Sequence, residues 1–156
     1  MKWGKWLEQW DMTTLKVKTP FLDMEWKPQD EDRSAAWELY VELLTRITTQ
    51  PLSDVHGDEK NALSGVHSIF STTRDVIKRN GRHCIEFTKI AVIILNQKIR
   101  PFTAKWHRLS SEGAFNDERM CKQFRDELIE LQVVLIVYSK MLADMAGVED
   151  LTELEG

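Results

Sequence analysis

Apolar residues recur along this chain at steps of three and four, the spacing of a helix that buries one face. The longest such series is Met120, Phe124, Leu128, Leu131, Leu135, Tyr138, Leu142 and Met145. Its average step of about 3.5 residues is that of left-handed helical bundles. Asn116 is expected to cap this helix and Gly147 to stop it. Ile129, Val133, Ile136 and Val137 form a second stripe on the same helix. A helix with two apolar sides needs neighbours on both or a second chain, so a homo-oligomer is an expected state.

Three further helices follow from the same pattern. The first starts after Asp30, Asp32 and Ser34, whose oxygens suit an N-terminus. It carries Ala36, Leu39, Tyr40, Leu43, Leu44 and Ile47, and Pro51 ends it. A polar loop through Ser53, Asp54 and Gly57 leads to the second helix, from about Asp58 to Arg79. Ala62, Val66, Ile69, Phe70, Val76 and Ile77 are its buried face, and Asn80-Gly81 its C-cap. The third begins near Arg82. Its centre, Ile90 to Leu95, is apolar almost all round and reads as the most buried element. Pro101 lacks a backbone donor and is expected to kink or break it.

Residues 1–28 differ. Trp3, Trp6 and Trp10 share one helical face with Leu7, and then Leu15 and Val17 alternate with Lys16 and Lys18 as an extended segment would. The expected architecture is all-α. A four-helix bundle over 29–147 carries an irregular Trp-rich N-terminal arm over 1–28 and a loose acidic tail over 148–156.

The 156 residues fit one domain. No N-terminal stretch is apolar enough for a signal peptide, and Ile90–Leu95 is too short to span a bilayer. The reading is a cytoplasmic protein with two free thiols, Cys84 and Cys121. His56, His67, His83 and His107 form no metal pattern, and phosphate-binding glycine loops are absent. No cofactor is expected.

Charge changes the picture. Lys78–Arg108 holds eight basic residues and one acid, Glu86. Asp23–Glu59 holds ten acids and three bases, and Asp117–Gly156 ten acids and four bases. The net charge of −4 conceals this. The basic block is either paired internally or open to an anionic partner. Within it, Arg100, Lys105, His107 and Arg108 surround Phe102 and Trp106, a combination that suits phosphate contacts beside base stacking. Glu86 and Asp75 read as solvated partners of surface bases.

Arg100, six residues, then His107 resembles the Arg-x4–6-His signature of HEPN-type ribonucleases. That resemblance implies Arg100 on the phosphate and His107 as acid or base, at a dimer cleft. The stretches Ala35–Arg46 and Leu95–His107 resemble segments of small prokaryotic helical proteins of defence-type loci, which implies a partner-dependent role in antiviral defence.

Trp3, Trp6 and Trp10 could lie in a membrane interface, dock in another protein's groove, or fold back on their own bundle. Membrane association is disfavoured by Glu8 and Asp11. The leading expectation is a non-enzymatic accessory or assembly subunit. Trp3, Trp6 and Trp10 would anchor a protein partner, and Arg100, Lys105, His107 and Arg108 would meet an anionic surface. The alternatives are a ribonuclease using Arg100 and His107, or a nucleic-acid or nucleotide sensor using residues 78–108.

Overall fold

The computed structural model describes residues 1–46, 52 and 58–155. Ile47, Pro51, Ser53, Asp54, His56 and Gly57, which entered the expectations above, lie outside the described residues. The fold is all-α. Its helices are α1 (Trp3–Gln9), α2 (Thr19–Leu22), α3 (Asp30–Leu44), α4 (Glu59–Asn80), α5 (Ile85–Ile94), α6 (Arg100–Ser111) and α7 (Glu118–Ala146). Among the described residues no strand forms; Lys2 and Glu25 make one isolated antiparallel bridge.

Local chemistry sets the helix ends. The Asp58 carboxylate accepts the backbone N–H groups of Lys60 and Asn61 and so starts α4. Gly81 and Gly147 end α4 and α7 at φ of 81° and 73°, where a side chain would be strained. The N-cap of α7 is Asp117, which accepts from Arg119 N at 2.9 Å. Asn116 instead closes a short 3-10 turn, one residue earlier than a cap.

Pro101 neither breaks nor separates the third helical rod. Leu95–Ile99 adopts a π-helical turn and α6 follows without interruption. Arg100 N–H reaches back five residues to Leu95 O. The wider turn accommodates a proline that has no donor and crowds the carbonyl four residues before it. Arg100 to His107 is therefore regular helix.

The core lies where α3 meets α4, α5 and α7. Tyr40, Leu43, Ile69, Phe87, Ile90, Ile94, Phe124 and Leu135 are fully enclosed there. Ile90–Leu95 is less buried than expected, since Val92 faces solvent. Asp32 is buried as well. Its carboxylate accepts Gln29 N–H at 2.8 Å and Phe87 N–H at 2.9 Å. One side chain thus caps its own helix and the first turn of α5.

The N-terminal arm is part of this core, not a free appendage. Trp3 and Trp6 are fully buried, and Trp10 packs half-buried against the same cluster. Trp3 Nε1 donates to Glu86 at 2.7 Å, and Trp6 Nε1 donates to Asp144 at 2.8 Å. Trp6 stacks on Trp26 and Trp3 packs on Phe21, so the arm brings its own aromatic neighbours. Glu86 is correspondingly a buried acceptor rather than a solvated surface acid.

Two smaller expectations also change. Thr13–Lys18 does not form a strand; Leu15 is buried and Lys16 is tied to Gln97. The tail is docked rather than loose. Leu151 N–H donates to the Tyr40 hydroxyl at 2.5 Å, and Thr152–Glu155 makes a 3-10 turn.

Candidate functional site

The chain reverses at Gly81, so α4 and the α5–α6 rod run antiparallel. Along the middle of α4 and the first two turns of α6, the two helices set similar rows beside each other. On α4 the row is His67, Phe70, Ser71 and Arg74; on α6 it is Arg100, Thr103, Ala104 and His107. Both follow i, i+3, i+4, i+7, the spacing of one helical face. Together they line an open groove of about 360 Å³.

Two cross-helix contacts fix the facing of the rows. The His67 and His107 rings meet edge to face with centroids 5.0 Å apart. The Arg100 guanidinium lies over the Phe70 ring at 4.8 Å, a cation–π contact that orients it. Arg100 Nε also donates to Asn96 Oδ1 at 3.1 Å. Its remaining N–H groups stay available to a ligand, and Arg74 is exposed on the facing helix. Among the described residues lining the groove there is no carboxylate. Two guanidinium groups and two imidazoles thus converge on one concavity, an arrangement suited to an anion with several acceptor oxygens.

Compared with protein-family models, curated proteins and solved structures, the chain matches none. The site therefore stands on its geometry.

The structure divides the anion-binding set expected from sequence. Arg100 and His107 share the groove. Lys105 points to the other side of α6, where its Nζ meets Glu127 at 2.7 Å and lies over the Trp106 ring at 5.2 Å. Arg108 is exposed but does not line the groove. Trp106 is buried, so it offers no face for a base; its indole N–H donates to Glu127. Glu127 is itself partly buried, which raises its carboxyl. Hydrogen bonds from Lys105, Gln123 and Trp106 outweigh that and hold it below its ordinary value.

Internal pairing accounts for part of the basic block. Arg79 reaches Glu38 at 2.8 Å, and Lys89 reaches Glu86 at 3.0 Å. His83 is exposed at the turn into α5, away from the groove. Trp3 and Trp6, expected as partner anchors, are interior in this conformation and present no docking surface. Their indoles are consumed by the arm's own packing and by Glu86 and Asp144.

Burial pushes both Cys84 and Cys121 above the ordinary thiol range. Among the described residues, no three His, Cys, Asp or Glu side chains gather as a metal cluster. No described helix is long and apolar enough to cross a membrane.

Sequence reasoning missed His67 and Arg74. Their signal is the repetition of one polar ladder on two helices, which becomes visible once α4 and α6 are known to be antiparallel neighbours.

Proposed function

We propose that this chain is a helical module that binds the phosphate backbone of single-stranded nucleic acid in the α4–α6 groove. The observation that carries this reading is the paired ladder, which brings Arg74, Arg100, His67 and His107 to one carboxylate-free concavity. The guanidinium groups offer forked donors to phosphate oxygens. The groove is a concavity, which suits one strand; reading a duplex calls for a protruding element that enters its grooves. A volume of about 360 Å³ is at the small end of ligand sites, roughly 300–1,000 Å³.

The test is fluorescence anisotropy with a labelled single-stranded oligonucleotide across a salt series. Binding is expected to weaken linearly with log salt. Arg74→Gln and Arg100→Gln should each reduce the slope by about 0.7. Absent or salt-insensitive binding contradicts the reading.

A second reading, an accessory subunit held by a protein partner or by another copy of itself, is favoured by α7. Ile129 and Val133 are 57% and 58% exposed on its outer face. Ile129→Ser with Val133→Ser should release such a partner, or convert an oligomer to monomer in sedimentation, without loss of helicity. An unchanged sedimentation coefficient and unchanged partner recovery count against it.

A further inference from the structure

Resting on the reading of α7 as a partner face, we infer that this face pairs with α7 of a second copy of the chain, antiparallel and centred on Val133. The order of residues along the outer stripe carries the inference. Lys122, Asp126, Ile129, Val133, Val137, Lys140 and Asp144 follow steps of four and three, so they share one side of the helix. The inner face, with Phe124, Leu128, Leu135 and Leu142, packs into the core. On the outer stripe Lys122, Asp126, Ile129, Val133 and Asp144 are exposed, and Val137 and Lys140 are half-buried. At 1.5 Å per residue the stripe is about 33 Å long. Its spacing is the same read from either end about Val133, and the charges at mirrored positions are opposite.

A two-fold axis makes residue i meet residue j of the second copy and j meet i. With the axis at Val133, that residue meets its own copy and Ile129 meets Val137. Asp126 then meets Lys140, and Lys122 meets Asp144. An apolar centre is thus closed at both ends by opposite charges, the usual anatomy of a core with a polar rim. Within one chain Lys122 and Asp126 bond each other at 2.8 Å, an exposed pair that holds them weakly. Asp144 accepts the Trp6 indole through one carboxylate oxygen and has the other to offer. Other arrangements oppose themselves. Parallel pairing in register sets Lys122 on Lys122 and Asp126 on Asp126. An antiparallel slip of one turn sets Lys122 on Lys140 in one direction and Asp126 on Asp144 in the other. Like charges so placed disfavour both alternatives. A foreign helix needs only an apolar stripe to dock on; mirrored opposite charges suit a second copy.

The experiment is sedimentation equilibrium of the full chain over a concentration series. The wild type is expected to be a dimer that dissociates on dilution. Asp126→Lys and Lys140→Glu each bring two like-charge pairs into their own dimer, and each should weaken it about tenfold or more. Mixed in equal amounts, the two variants should pair as the wild type does, because each supplies the charge that the other's changed position now needs. Val133→Glu sets two carboxylates together at the axis and should be monomeric; Val133 is 58% exposed, and circular dichroism reports whether each variant folds. A wild type that is monomeric throughout overturns the inference and leaves α7 as a face for a different protein. That reading fails separately, when Ile129→Ser with Val133→Ser recovers every partner the wild type does. A dimer that none of the variants weakens assembles through another face and overturns the inference. Weakened single variants that stay apart on mixing overturn the register centred on Val133.

Discussion

The side-chain amide of Gln97 pairs with the backbone of Lys16 as one strand pairs with another. Lys16 N–H donates to Gln97 Oε1 at 2.7 Å, and Gln97 Nε2 donates to Lys16 O at 2.6 Å. Gln97 sits four residues before Pro101, inside the π-helical turn that accommodates the proline. The irregularity of that turn and the docking of the arm thus meet at one residue. Gln97→Ala removes both hydrogen bonds and should cost about 1–2 kcal/mol. Amide exchange at Lys16 and its neighbours should accelerate while exchange in α7 stays slow. Unchanged protection at Lys16 contradicts this pairing.

Trp3 and Trp6 make the arm a structural element. Trp3→Ala or Trp6→Ala empties a large buried volume, and each should cost about 3–5 kcal/mol by chemical denaturation. Glu86→Ala leaves the Trp3 indole N–H without its buried acceptor and should cost about 1–3 kcal/mol. Near-neutral alanine variants at both tryptophans would show that the arm is free and would return it to the role of an anchor.

The partly buried Glu127 and the buried Asp32 give opposite pH dependences. Glu127 is held below its ordinary 4.5, because its three donors outweigh burial. Its stabilising contribution is full above the unfolded-state value and is lost as pH falls through the lower folded-state value. Asp32 is raised above 3.8, chiefly by burial and despite the Gln29 and Phe87 N–H groups. Its contribution is present below the unfolded-state value and lost as pH rises through the folded-state value. Glu127→Gln should therefore flatten the acid limb of stability against pH, and Asp32→Asn should steepen it. Denaturation midpoints over a pH series read both signs, and a shared sign contradicts the account.

Tyr138 is fully buried on α7, and its hydroxyl has no hydrogen-bond partner among the described residues. Burial pushes its pKa far above the ordinary range. Tyr138→Phe removes an unpaired polar atom without emptying space. The expected result is equal or greater stability, by up to about 1 kcal/mol. A loss of similar size would reveal a partner for the hydroxyl.

Much of the fold was legible in local spacing. The stepping from Met120 to Met145 marks the inner face of α7, and Gly81 and Gly147 stop their helices where left-handed backbone is needed. What was not legible is long-range. The acceptors that hold Trp3 and Trp6 stand 83 and 138 residues away in sequence. Periodicity identifies an aromatic face but not what covers it. The missing donor of Pro101 is evident from its identity alone, whereas the widened turn that absorbs it depends on the packing of α5 and α6. The site was half legible for the same reason. Arg100 and His107 lie on one helix and their spacing predicts a shared face. His67 and Arg74 reach them only through antiparallel packing of α4 and α6.

The central claim is that the α4–α6 groove is a phosphate site. The most direct measurement is a two-dimensional NMR titration of the full chain with a 2′-deoxy oligonucleotide, following backbone amides and imidazole resonances. The account predicts saturable shifts at His67, Arg74, Arg100 and His107, with α7 unperturbed. Shifts confined to the outer face of α7, or no saturable shift at all, would contradict it.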